Sequence, residues 1–195
     1  RRRGHLSMAT LLLAGVTLGL IASALILLVR YLSSPHMLVV MDRWLMGGIT
    51  AVGFEDVAKV LPLLAPGAAI LLLQARKYDQ LAFGEEFAAG RGVDVARLQR
   101  LSFFGGSLVT ASVVAATGPI GFVGLIVPHV VRGIFGPDHR LLLCLSFLAG
   151  GVFLAGADTL ARVVFKSTEL PVGVLTSMLG GPFFLVVLMT KMRRM

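Results

Sequence analysis

Charge is scarce in this sequence. Only 14% of its 195 residues are Asp, Glu, Lys or Arg, while 56% are hydrophobic and the mean hydropathy is +0.89. That balance leaves too much apolar surface for a water-soluble globule of this length. A soluble helical domain would need polar faces at helical spacing, and the runs LLLAGVTLGLIASALILLV and LGGPFFLVVLM have none. Cysteine is nearly missing too: Cys144 is the single one, so no internal disulfide can form, and its apolar run suggests a small packed hydrophobe. A glycine-rich Lys-Ser or Lys-Thr phosphate loop is absent, which excludes ATP binding by that device. No Cys, His or carboxylate cluster has metal-ligand spacing; His129 and His139 read as satisfied helix-end histidines. Neither a metal site nor a catalytic residue is therefore expected. The formal net charge of +8 could point to nucleic acid, but the basic residues gather at segment ends, not along one face with interleaved aromatics. They read as topology signals, and no nucleic-acid partner is expected.

What is present is an all-α, polytopic membrane bundle. Five long spans are expected: Leu6 to Val29, Val57 to Leu73, Leu101 to Thr117, Leu141 to Ala157 and Leu170 to Thr190. Arg1, Arg2 and Arg3 ahead of the first mimic a secretory signal, yet the run is long and lacks a small-residue cleavage site, so it reads as a retained span. A sixth segment, Ile120 to Phe135, is broken by the stretch GPIGFVGLIVPH, which packs three glycines, two prolines and a histidine into Gly118 to His129. In hydrocarbon every freed backbone group must find a partner inside the protein, so this stretch must be buried or line a cavity. Charge decides whether it crosses. If it does, only Arg30, Arg43, Lys59, Arg162 and Lys166 lie outside and thirteen basic residues lie inside; if not, the split is ten against eight. The crossing topology wins, with both termini cytoplasmic.

Small residues mark packing positions. Gly15, Gly19 and Ser23 recur every four residues along the first span and would let another helix approach, within the chain or from a second subunit. Gly47, Gly48, Gly118, Gly121 and Gly124 read as packing or path positions, Pro128 with His129 as the start or support of a short return helix, and Pro182 as a kink in the last span. Asp158 is the carboxylate most nearly within a span, but Arg162 four residues on makes a structural ion pair a better reading than a proton relay.

The longest polar segment, residues 76–97, reads as a folded cytoplasmic loop of two short helices within a single membrane domain covering 1–195. Gly84 precedes Glu85 and Glu86, which suit a first turn, and Gly90 and Gly92 suit its end and the next turn. Leu81, Phe83, Phe87 and Val93 give the loop an apolar component, as a docking site for a cytosolic partner would have.

The runs GPIGFVGLIVPHVVRGIFGPDHR, ADTLAR and TELPVGVLTSMLGGPFF, with the loop LAFGEEFAAGRGVDV, resemble the FecCD-type permeases, membrane subunits of ABC importers for iron-siderophores, haem and cobalamin. The resemblance implies a plasma-membrane permease that pairs with a second permease subunit, two ATPases docked beneath and an extracytoplasmic binding protein above. It implies that Leu81, Gly84, Glu85, Glu86, Gly90, Gly92 and Val93 belong to the ATPase-coupling loop. Arg43, Arg162 and Lys166 are then the outer charges available to a binding protein. This chain would bind no cofactor, with ATP and Mg held by the partner ATPases. Family members are longer, and the likeness is to their C-terminal part, so a fragment, a truncated gene product or one piece of a split permease is expected, one that need not transport by itself. A secondary transporter or channel is the rival reading; it would need more intramembrane ionisable groups than occur here.

Overall fold

The computed structural model of the chain describes residues 8–49, 53–164 and 170–192, and among them every regular element is a helix. In chain order these are α1 (Met8–Tyr31), α2 (Pro35–Leu45), α3 (Phe54–Leu73), α4 (Ala75–Leu81), α5 (Glu85–Gly90), α6 (Val95–Thr117), α7 (Val123–Phe135), α8 (His139–Val164) and α9 (Val172–Met192). At 1.5 Å per residue, the 24 residues of α1 and the 26 of α8 reach about 36 and 39 Å, enough to cross a bilayer. Four helices are long and apolar enough to span: Leu12–Tyr31 within α1, α3, α6 and most of α8. Five were expected; over the fifth runs α9, Val172–Met192, whose 21 residues reach about 32 Å.

Two compact units share the chain, one ending at Asp42 and the other beginning at Arg43. In the first, α1 presents apolar side chains such as Leu13, Leu20 and Leu27 outward, as a helix in lipid does. An ion pair from Arg30 to Asp42 ties the end of α1 to α2. Nothing in the hydropathy pattern announced α2, whose 11 residues are too few to cross.

In the second unit α3 and α6 pack along each other. A side chain at Gly67 would come within 2.9 Å of the Gly105 carbonyl oxygen, and one at Gly105 within 3.1 Å of the Gly67 oxygen. Only glycine at both positions lets the backbones approach so closely. α6 starts at Val95, earlier than the expected Leu101, because Asp94 accepts a hydrogen bond from the Arg97 amide at 2.9 Å and caps the helix. α7 rests on α8 through buried Val127, Val131 and Leu142, flanked by Val123, Leu145 and Phe153.

Three local expectations need correction. Pro128 does not begin the return helix: α7 starts at Val123 and Pro128 lies inside it, where its missing N–H leaves the Gly124 carbonyl without its helical donor. His129 is likewise mid-helix, edge-on to the Phe183 ring at 6.3 Å, not at a helix end. Cys144 is exposed on α8 instead of packed, which costs little where the surroundings are hydrocarbon. Pro182 sits inside α9, which continues through it.

Candidate functional site

Two clusters of functional interest form at opposite ends of the helix pair α3 and α6. The first is the loop between them. Gln74 breaks the helical run, α4 follows, and Gly84 with φ +114° turns the chain into α5. Such a φ strains any residue bearing a Cβ. Glu85 and Glu86 occupy the first turn of α5, Gly90 ends it, and Gly92 at φ +81° turns toward the Asp94 cap. The loop has a core of its own: Ala88, Val93 and Leu98 are buried, with Tyr78, Leu81 and Val95 packed around them. Leu81 and Val93 therefore face inward, supporting the loop from within. The apolar surface is made instead by Phe83 and Phe87, whose rings lie 5.4 Å apart, with the Arg91 guanidinium 4.7 Å above the Phe87 ring. Glu85 and Glu86 are exposed beside them.

Two tethers fix this loop to the spans. The Tyr78 hydroxyl meets the Ser102 hydroxyl of α6 at 2.8 Å. Asp79 accepts the main-chain N–H of His139 at 2.9 Å and lies 2.7 Å from that residue's Nδ1, so it caps α8. Burial pushes the Asp79 carboxyl up, but the His139 amide and ring together outweigh it and hold the group below its ordinary value. His139 is thus the satisfied helix-end histidine expected, and sequence alone did not reveal its partner.

At the other end three backbone segments converge. Gly47 and Gly118 both have φ of +70°. A side chain on Gly47 would overlap the Pro119 carbonyl, one on Gly118 the Trp44 carbonyl, and one on Gly173 the Met46 carbonyl. The Gly48 amide bonds to the Thr117 carbonyl at 2.8 Å and the Gly173 amide to the Gly47 carbonyl at 3.0 Å. These two bonds join backbone across the junction, where hydrocarbon would offer no partner. Gly180 lies against the ring of Phe122, itself left-handed at φ 65°. Gly121 faces the Ser177 hydroxyl, 3.3 Å from where a Cβ would be, whereas Gly15, Gly19, Gly48 and Gly124 have open space around them. Ser23 is exposed. Gly173 and Gly180, the tightest partners of this stretch, were not singled out by the sequence.

Since Gly118 belongs to this junction and His139 to the loop end, α7 carries the chain from one end of the bundle to the other. The charge count reached the same parity. Arg43 is exposed near the junction, and Arg162 lies 2.8 Å from Asp158 in the expected ion pair. Lys166 lies outside the described residues. Among the described residues no three His, Cys, Asp or Glu come together as a metal site would need.

Residues 1–190 match the model of the FecCD transport family. The chain belongs to the FecCD family. It is 47% identical over 191 residues to the cobalamin import system permease protein BtuC of Halobacterium salinarum, covering 96% of this chain and 50% of that protein. Against the hemin transport system permease protein HmuU of Yersinia pestis the identity is 37% over 190 residues, 97% of this chain and 57% of the relative. Among solved structures, a metal-chelate type ABC transporter in an inward-facing conformation matches with a TM-score of 0.84 at 32% identity, over 95% of this chain and 60% of that one. The chain thus spans about half the length of the curated relatives it matches. Its family is one of transport permeases, and its apolar helices make it a multi-pass membrane protein.

Proposed function

We propose that this chain supplies one half of the membrane permease of an ABC importer for a metal chelate, an iron-siderophore, haem or cobalamin, in the plasma membrane. The observation that carries the reading is the loop of α4 and α5. It is folded on its own core, displays Phe83 and Phe87, and is tied to α6 and α8 at once. A mere connection between two spans needs none of this. A cytosolic ATPase seated on Phe83, Phe87, Glu85 and Glu86 would pull on two spans through Tyr78–Ser102 and Asp79–His139, and so tilt them between access states. ATP and Mg belong to that ATPase, and this chain binds no cofactor. The loop end faces the cytoplasm and the glycine junction faces outward, where Arg43, Arg162 and Lys166 meet an extracytoplasmic binding protein. A second permease subunit closes the path. Asp158, paired to Arg162, offers no free ionisable relay of the kind a secondary transporter uses.

The test is reconstitution of the full permease with its ATPases and binding protein in vesicles. ATP-dependent uptake of a loaded chelate that is abolished by Phe83→Ala with Phe87→Ala supports the reading. Uptake driven by an ion gradient without ATP would replace it with a secondary transporter.

A further inference from the structure

Beside the Phe83 and Phe87 surface, the loop folds back on the ends of α3 and α6 to leave a cleft of about 360 Å³. Lys77 of α4, Arg91 beyond α5 and Arg97 of α6 line it, with Gln80 and the carboxylate of Asp94 as further polar groups and Val93, Leu98 and Leu101 as its apolar floor. Among the described residues none of the three cations has an ion-pair partner, and Asp94 is engaged with the Arg97 amide. The inner wall is Gln74, only 5% exposed: its Nε2 donates to the Ile70 carbonyl at 3.1 Å, while its Oε1 receives no donor from the described residues. The cleft opens where apolar spans give way to the charged loop, the depth of lipid headgroups.

From this arrangement we infer that the cleft is a binding site for a phosphate ester, held by Lys77, Arg91 and Arg97. Three cations without ion-pair partners line one cavity, Arg91 being stacked on the Phe87 ring as well; they match a phosphate's charge, and guanidinium forks match its oxygens. The net charge of the lining stays positive after Asp94 is counted. Leu101, half-buried at the cleft, offers an apolar foot that a glycerolipid needs and a free phosphate does not. Gln74, whose Oε1 is enclosed, forms the wall against which the occupant would rest. Occupancy would clamp α4, the turn after α5 and α6 together, stiffening the loop at the point where it transmits force.

The inference requires only a membrane-embedded chain, so it can fail while the transport reading stands. The full permease complex is placed in nanodiscs of phosphatidylcholine alone or with phosphatidylglycerol, and retained lipid is counted by native mass spectrometry. In parallel, inorganic phosphate and glycerol phosphate are titrated onto the phosphatidylcholine sample. Retention of phosphatidylglycerol that falls about fivefold for Lys77→Gln or Arg97→Gln, and roughly thirtyfold for both together, supports a lipid occupant. The charge-keeping Lys77→Arg should bind normally, which a merely structural role of the side chain would not predict. The same dependence seen with the soluble phosphates instead supports a soluble ester. Equal binding by wild type and the double variant in both arms overturns the site. So does a double variant whose sole defect is weaker ATPase association, since the cations would then serve an acidic protein surface.

Discussion

Asp79 and His139 stand 60 residues apart in sequence, yet one carboxylate oxygen of Asp79 engages both the amide and the ring of His139. This single contact caps α8 and anchors the loop of α4 and α5 to it. The carboxyl is held below its ordinary value by those bonds, despite the opposing push of burial. A group so depressed contributes its stability above the unfolded carboxylate value, near 3.9, and loses it as pH falls through the lower folded value. Asp79→Ala should therefore destabilise the complex at neutral pH by about 1 kcal/mol, the usual worth of a cap. The gap between wild type and variant should start to narrow as pH drops below the ordinary carboxylate range and close only once it has passed the depressed folded value of Asp79. A difference that persists unchanged into acid would assign the effect to packing.

The loop separates support from contact. Leu98→Ala empties its buried core and should lower thermal stability by about 2 to 4 kcal/mol, and Val93→Ala by less. Phe83→Ala, at a ring 77% exposed, should leave stability within about 0.5 kcal/mol and reduce ATPase coupling. Differential scanning fluorimetry beside chelate-stimulated ATP hydrolysis distinguishes the two. Loss of stability in Phe83→Ala with coupling intact would contradict the division.

Spans and parity were legible in the sequence because hydropathy and basic-residue placement are properties of consecutive residues. The two short loop helices were legible for the same reason, since Gly84, Gly90 and Gly92 are local punctuation. Contacts between distant segments were not. Nothing near Gly47 says that the Gly173 amide will bond to its carbonyl, nor does Asp79 announce His139. The loop's apolar residues read alike one by one; only the fold shows that Val93 turns in and Phe83 out. α7 began early because a left-handed Phe122 starts it, a conformation no pattern rule assigns to phenylalanine.

Sidedness is open to labelling. With exposed Cys144 first replaced by Ser, Glu86→Cys should react with a membrane-impermeant maleimide from the cytoplasmic side alone, and Arg43→Cys from the outer side alone. Reaction of position 86 from outside would invert the topology.

Outer docking should rest unequally on the basic residues. Asp158 already holds Arg162 at 2.8 Å, so Arg162→Glu alters a charge partly spent within the chain, whereas Arg43 is exposed. Arg43→Glu should slow association of the binding protein several-fold at low salt, more than Arg162→Glu, and the difference should fade near 0.5 M salt. Identical association rates for both variants at every salt concentration would remove these residues from the docking surface.

The glycine junction yields the sharpest contrast, because glycines of one short stretch meet different surroundings. Gly118 holds φ +70° and has the Trp44 carbonyl where a Cβ would go; Gly47, with the same φ, has the Pro119 carbonyl there. Alanine at either position must enter a left-handed conformation, at a cost of about 1 to 2 kcal/mol, and must also displace backbone that is bonded across the junction. Gly173→Ala meets the second penalty without the first. Each should reduce the folded yield of the full permease and lower its melting temperature by several degrees. Gly124→Ala should be near neutral or stabilising, since its surroundings are open and alanine favours the helix. His129→Gln, which gives up one edge-on ring contact to Phe183, should cost at most about 1 kcal/mol. If Gly47→Ala and Gly118→Ala fold and transport normally while His129→Gln alone abolishes uptake, the stretch serves the path directly and its architectural role is refuted.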